Sequence, residues 1–117
     1  MATNSQIAFN PQGKTVVVAA AAVAPLGVQA PVDQRFIAQE TGQVRVVNAS
    51  TNLVHIGVGP TASAAKANAV AAAAGSPAAG IPLLAGSVEI LRFPLGSYFS
   101  GVAGAASTIY LTPGEGL

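Results

Sequence analysis

Residues 43–58, QVRVVNASTNLVHIGV, decide the fold. They contain two runs rich in β-branched residues, 43–48 and 53–58, separated by the polar segment 49–52. In the second run one side of an extended chain carries only apolar residues, namely Val54, Ile56 and Val58. This alternation is typical of a strand with one face on a core. The stretch therefore predicts two paired antiparallel strands joined by a hairpin connection.

Further strands are predicted on both sides of this pair. The runs with a similar composition are residues 14–22, 87–93, 97–102 and 108–112, with a weaker candidate at 35–39. In the last run the alternation places Ile109 and Leu111 inward and Tyr110 outward.

Short connections separate these runs. Pro94-Leu95-Gly96 and residues 103–106 have the composition of turns. Such connections are too short for the crossover helix that parallel strands need, so neighbouring strands are expected to be antiparallel. Six or seven short strands with turns between them predict an all-β, single-domain antiparallel β-sandwich, with a small barrel as the alternative.

An Ala-rich insertion, residues 61–80, interrupts the strand pattern. Thr61 is a candidate N-cap, and a helix over residues 62–74 would be stopped by Gly75 and Pro77. Alanine side chains bury little surface, and short isolated helices are marginal in water. We therefore interpret the insertion as a long Ala-rich loop between two strands, with at most a helical turn, that becomes ordered against a neighbour.

The composition excludes several classes of function. The chain has 117 residues, of which 25 are Ala and 13 are Gly, and its net charge is only +1. We expect no nucleic acid and no membrane as partner, because no basic field is present to hold phosphates or anionic lipid. The absence of cysteine excludes disulfides and thiolate metal sites.

Besides a strand, the apolar run 16–24 has two interpretations to consider, a membrane-spanning helix and a signal peptide. It is far shorter than the ~20 residues that a membrane-spanning helix needs. Lys14 before it and Val28-Gln29-Ala30 after it give it a resemblance to a signal-peptide core. Pro31 follows the notional cleavage site and is a poor position to cut, so we favour a strand.

Residues suited to chemistry are sparse. His55 is the sole imidazole, and the four carboxylates, Asp33, Glu40, Glu89 and Glu115, show no spacing that pairs them. We therefore predict no catalytic, metal-binding or cofactor-binding residue, and no cofactor. A small hydrolase using His55 and a nearby serine remains an alternative. Asn48-Ala49-Ser50 matches a glycosylation triplet, for which we prefer a turn.

Five residues are candidates for protein contacts. Residues 1–12 are mostly polar and form a predicted N-terminal arm, with Ile7 and Phe9 as apolar anchors, ahead of the sandwich domain at 13–117. Phe93, Tyr98 and Phe99 cluster near a predicted turn. Phe93 and Phe99 are expected to fill the core, and the alternative for all three is a protein interface, where aromatic residues are enriched.

The C-terminal part resembles a known class of proteins. Val88-Glu89 in an apolar strand is followed by the turn Pro94-Leu95-Gly96 and by the ending T-I-Y-L-T-P-G-E-G at 108–116. Together with the segment VRVVNASTNLVHIGVG at 44–59, this pattern resembles small structural proteins of tailed bacteriophages. The resemblance covers about residues 43–117 and concerns strand and turn residues, not a catalytic signature.

This resemblance implies a structural role. Its members include capsid decoration or cement proteins with a jelly-roll-like fold. The resemblance implies a non-enzymatic virion protein on the capsid surface, made in the host bacterial cytoplasm. It would bind the major capsid protein as a homo-oligomer, a dimer or a trimer. A tail protein, a head–tail accessory protein or a host-binding spike, with a concave surface lined by Tyr98, Phe99 or His55, is the alternative.

Overall fold

Two antiparallel β-sheets form the body of the protein. The computed structural model describes residues 10–11, 14–30 and 41–115. The elements in chain order are β1 (Asn10–Pro11), β2 (Val16–Ala20), β3 (Val28–Gln29), β4 (Thr41–Asn48), β5 (Val54–Gly59), α1 (Ala62–Asn68), β6 (Ile81–Leu83), β7 (Val88–Pro94), β8 (Tyr98–Ala103) and β9 (Ser107–Glu115). The predicted all-β, antiparallel single domain is confirmed.

Each sheet is four strand positions wide. The first sheet has the order β2-β9-β4-β7, and β1 lies end to end with β2 along the same edge of β9. The second sheet has the order β3-β8-β5-β6. Every strand pair in both sheets is antiparallel. Because β1 contains Asn10 and Pro11, the last part of the predicted N-terminal arm belongs to the first sheet.

The chain changes sheet at almost every connection. In the described part, β5 and β6 are the single pair of consecutive strands that lie side by side in one sheet. The predicted hairpin between residues 43–48 and 53–58 is therefore wrong. β4 belongs to the first sheet and β5 to the second, so residues 49–53 form a corner between sheets.

Asn48 explains this corner. Its side chain is fully buried, and its Nδ2 donates to the carbonyl oxygens of Asn52 at 2.9 Å and of Leu83 and Leu84 at 3.1 Å each. Its Oδ1 accepts from the Ser50 hydroxyl at 2.6 Å. A buried amide is stabilised only when its polar atoms are paired, so these bonds hold the corner against the β6–β7 connection. The asparagine of the glycosylation triplet, Asn48, is thus buried and hydrogen-bonded through both atoms of its amide.

The core lies between the two sheets. The first sheet contributes Val18, Val44, Val46, Ile109 and Leu111, and the second sheet contributes Val54, Ile56, Leu83 and Phe99. These positions confirm the predicted alternation in β5 and β9, including the exposed Tyr110. In β7 the core-facing apolar residues are Leu91 and Phe93, whereas Val88 and Ile90 are exposed.

The Ala-rich insertion begins with a true helix. Thr61 caps α1, because its hydroxyl accepts from the Ala64 amide at 3.1 Å. The helix ends at Asn68, whereas the longest helix considered from the sequence, over residues 62–74, would end six residues later. Asn68 Nδ2 donates to the Val58 carbonyl at 2.7 Å and fastens the helix end to β5. The rest of the insertion is loop, with positive φ at Gly75.

Glycine in β5 allows alanine to hold this helix. A Cβ atom at Gly57 would overlap backbone atoms of Ala65 and Ala69, and one at Gly59 would lie 2.7 Å from Ala64 Cβ. The helix backbone therefore lies against the sheet backbone, on the outer face of the second sheet. Close approach compensates for the small area of alanine side chains, which is why a helix forms where a loop was expected.

Several predicted features lie outside the described residues. They are the weak strand candidate at 35–39 and the arm residues 1–9 with Ile7 and Phe9. The strands β3 and β6, two and three residues long, were not predicted.

Candidate interaction surface

An apolar row crosses the outer face of the first sheet. In the strand register, Val17 of β2 lies opposite Tyr110 of β9, which lies opposite Val47 of β4, which lies opposite Val88 of β7. Directly opposite residues in antiparallel strands share a face. Their sequence neighbours Val18, Val46 and Ile109 point into the core, so this row faces outward.

The row is open to solvent. Val17 and Val88 are each 49% exposed, Tyr110 is 40% exposed, and Val47 is half-buried. Ile90, two residues after Val88 on the same face of β7, is 45% exposed. Single exposed apolar residues are common, but a contiguous group on one sheet face is typical of an interaction site.

Two arginines lie on this outward face, Arg45 among the apolar residues and Arg92 two residues beyond Ile90. Arg45 is exposed in β4, opposite Ile90 of β7 and Thr112 of β9. Within residues 10–11, 14–30 and 41–115, no hydrogen bond or ion pair joins its side chain to another residue. Thr112 already exchanges a hydrogen bond with Thr15 at 2.8 Å. We call Val17, Arg45, Val47, Val88, Ile90 and Tyr110 the outer patch.

The outer patch ends at the edge strand β7. Among the described strands, β7 pairs only with β4, so the backbone groups on its other side have no strand partner there. Glu89 lies opposite Val46 and thus on the core side of this edge, where it is exposed. A charge on the core side of an edge strand opposes pairing with another strand. The structure therefore favours contact through the outer patch over contact through this edge.

The predicted aromatic contacts divide between core and surface. Phe99 is completely buried, and its ring lies 4.9 Å from that of the partly buried Phe93 at an interplanar angle of 83°. These two rings fill the core, which is the role expected for Phe93 and Phe99 from the sequence. Tyr98 is half-buried in β8, opposite Gln29 and Gly59. Ile7 and Phe9 lie outside the described residues.

His55 lies on the other side of the sandwich. It is half-buried in β5 on the outer face of the second sheet, between Pro82 of β6 and Val102 of β8. In the described part of the chain no serine and no carboxylate forms a hydrogen bond with it. The structure thus does not bring His55 together with the partners that the hydrolase alternative requires.

A cavity of about 370 Å³ opens at one end of the sandwich. It is lined by Val58, Gly59, Pro60, Pro94, Leu95, Gly96 and Ser97. The Pro94-Leu95-Gly96 segment forms the predicted turn, in which the Ser97 amide donates to the Pro94 carbonyl and Gly96 has positive φ. Neither His55 nor the aromatic residues 98 and 99 are among these lining residues.

The described residues lack two further features. They contain no group of three or more His, Cys, Asp or Glu side chains placed to hold a metal ion. Among the same residues, no helix is both long enough and apolar enough to cross a membrane.

Comparisons with known proteins give no relative. No protein-family model matches the chain, and neither the curated proteins nor the solved structures searched contain a match. The geometry of this chain is therefore what carries a functional proposal.

Proposed function

We propose that this protein is a non-enzymatic structural protein of a virion. In this proposal it is a capsid decoration or cement protein that binds the major capsid protein and stabilises the shell. It acts on the capsid surface as a homo-oligomer, a dimer or a trimer, and is made in the host bacterial cytoplasm. The observation that carries the proposal is the outer patch, an exposed and mostly apolar surface on the first sheet.

The strand order supports this proposal. Apart from β1, the strands form sheets of order β2-β9-β4-β7 and β3-β8-β5-β6, and the chain changes sheet at every connection between them except β5–β6. We interpret this order as a jelly roll, an architecture that recurs in viral capsid domains. Fold alone does not determine function, so this support is an analogy. It agrees with the resemblance of residues 43–117 to phage structural proteins.

The test uses shells assembled from the major capsid protein encoded in the same genome. The purified protein is mixed with these shells and sedimented, and bound copies are counted by quantitative electrophoresis. The proposal expects saturable binding at hundreds of copies per shell and a higher temperature of shell disruption. An absence of binding, or binding without any change in shell stability, contradicts it.

The predicted arm is tested separately. Residues 1–9 precede β1, so their deletion leaves the pairing of Asn10 with Glu115 and of Pro11 with Gly114 in place. We expect weaker attachment to shells with an unchanged free energy of unfolding, because extended termini add main-chain hydrogen bonds and apolar anchors. Equal binding by the shortened and full chains would show that the arm has no part in attachment.

The alternative function is that of a tail, head–tail accessory or host-binding spike protein. The cavity at residues 58–60 and 94–97 does not contain the residues expected to line its concave surface, Tyr98, Phe99 or His55. Copy number separates the two functions. A dozen copies or fewer per particle indicate a tail or vertex component, whereas hundreds indicate a shell component.

A further inference from the structure

We propose that the outer patch docks onto an aliphatic protein surface that presents one Asp or Glu carboxylate to Arg45. This inference rests on the proposed function and names the face that meets the shell. The chemistry of the partner follows from the charge of the patch and from its geometry.

Arg45 determines the charge of the partner. A surface that covers Val47, Ile90 and Val88 also removes water from Arg45, which lies opposite Ile90 and two residues before Val47 on the same face. Burying a cation without a partner is costly, and no described residue of this chain supplies a carboxylate to it. A surface that covers the patch must therefore bring the carboxylate itself, and a planar guanidinium can bind both of its oxygens.

The geometry of the patch favours a contact whose spacing is fixed before binding. Its six residues lie on four neighbouring strands, so their spacing is fixed by the backbone hydrogen bonds of the sheet. Tyr110 and Arg45 are diagonal neighbours across the β4–β9 pair, and these two residue types dominate binding energy in protein interfaces. Because the patch is already ordered, little conformational entropy is lost when it binds.

A second copy of this chain is a poor partner for the outer patch. The outward positions of β2, β4 and β7 hold no carboxylate, and Glu89 lies on the core side of β7. Two such faces packed together would bury Arg45 of each copy without a counter-charge from these strands.

The test compares matched pairs of variants in the shell-binding assay. Val88→Asp places a charge in the patch, and Val70→Asp does so in the loop after α1, at the nearly equal exposures of 49% and 48%. Arg45→Glu and Lys66→Glu reverse a charge in the patch and in α1. We expect at least tenfold weaker binding for both patch variants and a change below twofold for both controls.

The proposed ion pair between Arg45 and the carboxylate of the partner is tested by the salt dependence of binding. Binding by the wild type is expected to weaken as salt concentration rises, and Arg45→Met is expected to reduce this dependence because it removes the charge and keeps much of the apolar stem. An unchanged salt dependence in Arg45→Met would overturn the carboxylate assignment.

The possible failures are distinguishable. If the wild type does not bind shells, both the proposed function and this inference fall. If it binds and the patch variants match their controls, the inference alone is overturned. If Val88→Asp instead dissociates an oligomer of the free protein in sedimentation equilibrium while shell binding persists, the face belongs to a second copy and the inference is likewise overturned.

Discussion

Phe93 and Phe99 meet edge to face across the sandwich, with ring centroids 4.9 Å apart. Phe93 belongs to β7 in the first sheet and Phe99 to β8 in the second. The turn at residues 94–97 carries the chain between these strands. The ring pair therefore fastens the two sheets together beside the point where the chain crosses from one to the other.

The two rings are expected to be energetically coupled. Phe99→Leu and Phe93→Leu should each lower the free energy of unfolding by roughly 1–2 kcal/mol, because each leaves space in the core. The double variant should cost about 1 kcal/mol less than the sum, since the edge-to-face contact is lost only once. Urea unfolding of all four proteins measures this coupling, and strictly additive losses would contradict it.

Asn48→Ala tests the corner between the sheets. The substitution removes the donor to the Asn52, Leu83 and Leu84 carbonyls and leaves buried acceptors without it. We expect a loss of about 3 kcal/mol in the free energy of unfolding. The control Asn68→Ala removes the side-chain bond to the Val58 carbonyl and should cost about 1 kcal/mol. Equal losses in urea unfolding would show that Asn48 has no special role.

Gly57→Ala tests the packing of α1. The added Cβ overlaps backbone atoms of Ala65 and Ala69, so the helix must move away from β5. We expect the free energy of unfolding to fall by about 2–3 kcal/mol and proteolytic cleavage within residues 61–70 to accelerate. Gly104→Ala is the control, because a Cβ there meets nothing within 4 Å. If both variants resist protease like the wild type, the close approach is not required.

Glu89→Val tests the edge of the first sheet. The substitution replaces the exposed charge on the core side of β7 with a residue that favours strands. We expect concentration-dependent self-association by size-exclusion chromatography with light scattering, because the edge would then accept another strand. The control Lys66→Val, on the exposed side of α1, removes a charge without changing a strand. Its mass in solution should equal that of the wild type. A Glu89→Val protein with unchanged mass would contradict this role.

The sequence predicts where the strands lie better than it predicts which strands pair with each other. The alternation in β5 and β9 identifies the core residues correctly, because apolar and polar side chains alternate there. It does not reveal which strand lies beside which, and a polar connection between β4 and β5 suits a hairpin and a corner equally. In β7 both faces carry large apolar residues, so the pattern alone cannot distinguish Leu91 in the core from Ile90 outside.

The outer patch is harder to predict than the core. Tyr110 is correctly expected to face outward, but its neighbours Val17, Val47 and Val88 come from distant parts of the chain. Only the register across four strands brings them into one row. The helix α1 was missed for a similar reason, since its support comes from Gly57 and Gly59 in a preceding strand.

The position of β9 has a consequence for synthesis of the chain. It separates β2 from β4 and pairs with both, so neither strand has its shared neighbour until residues 107–115 have left the ribosome. Until then these valine-rich segments are unpaired strands of high β-propensity, so nascent chains must be kept from pairing with one another throughout translation.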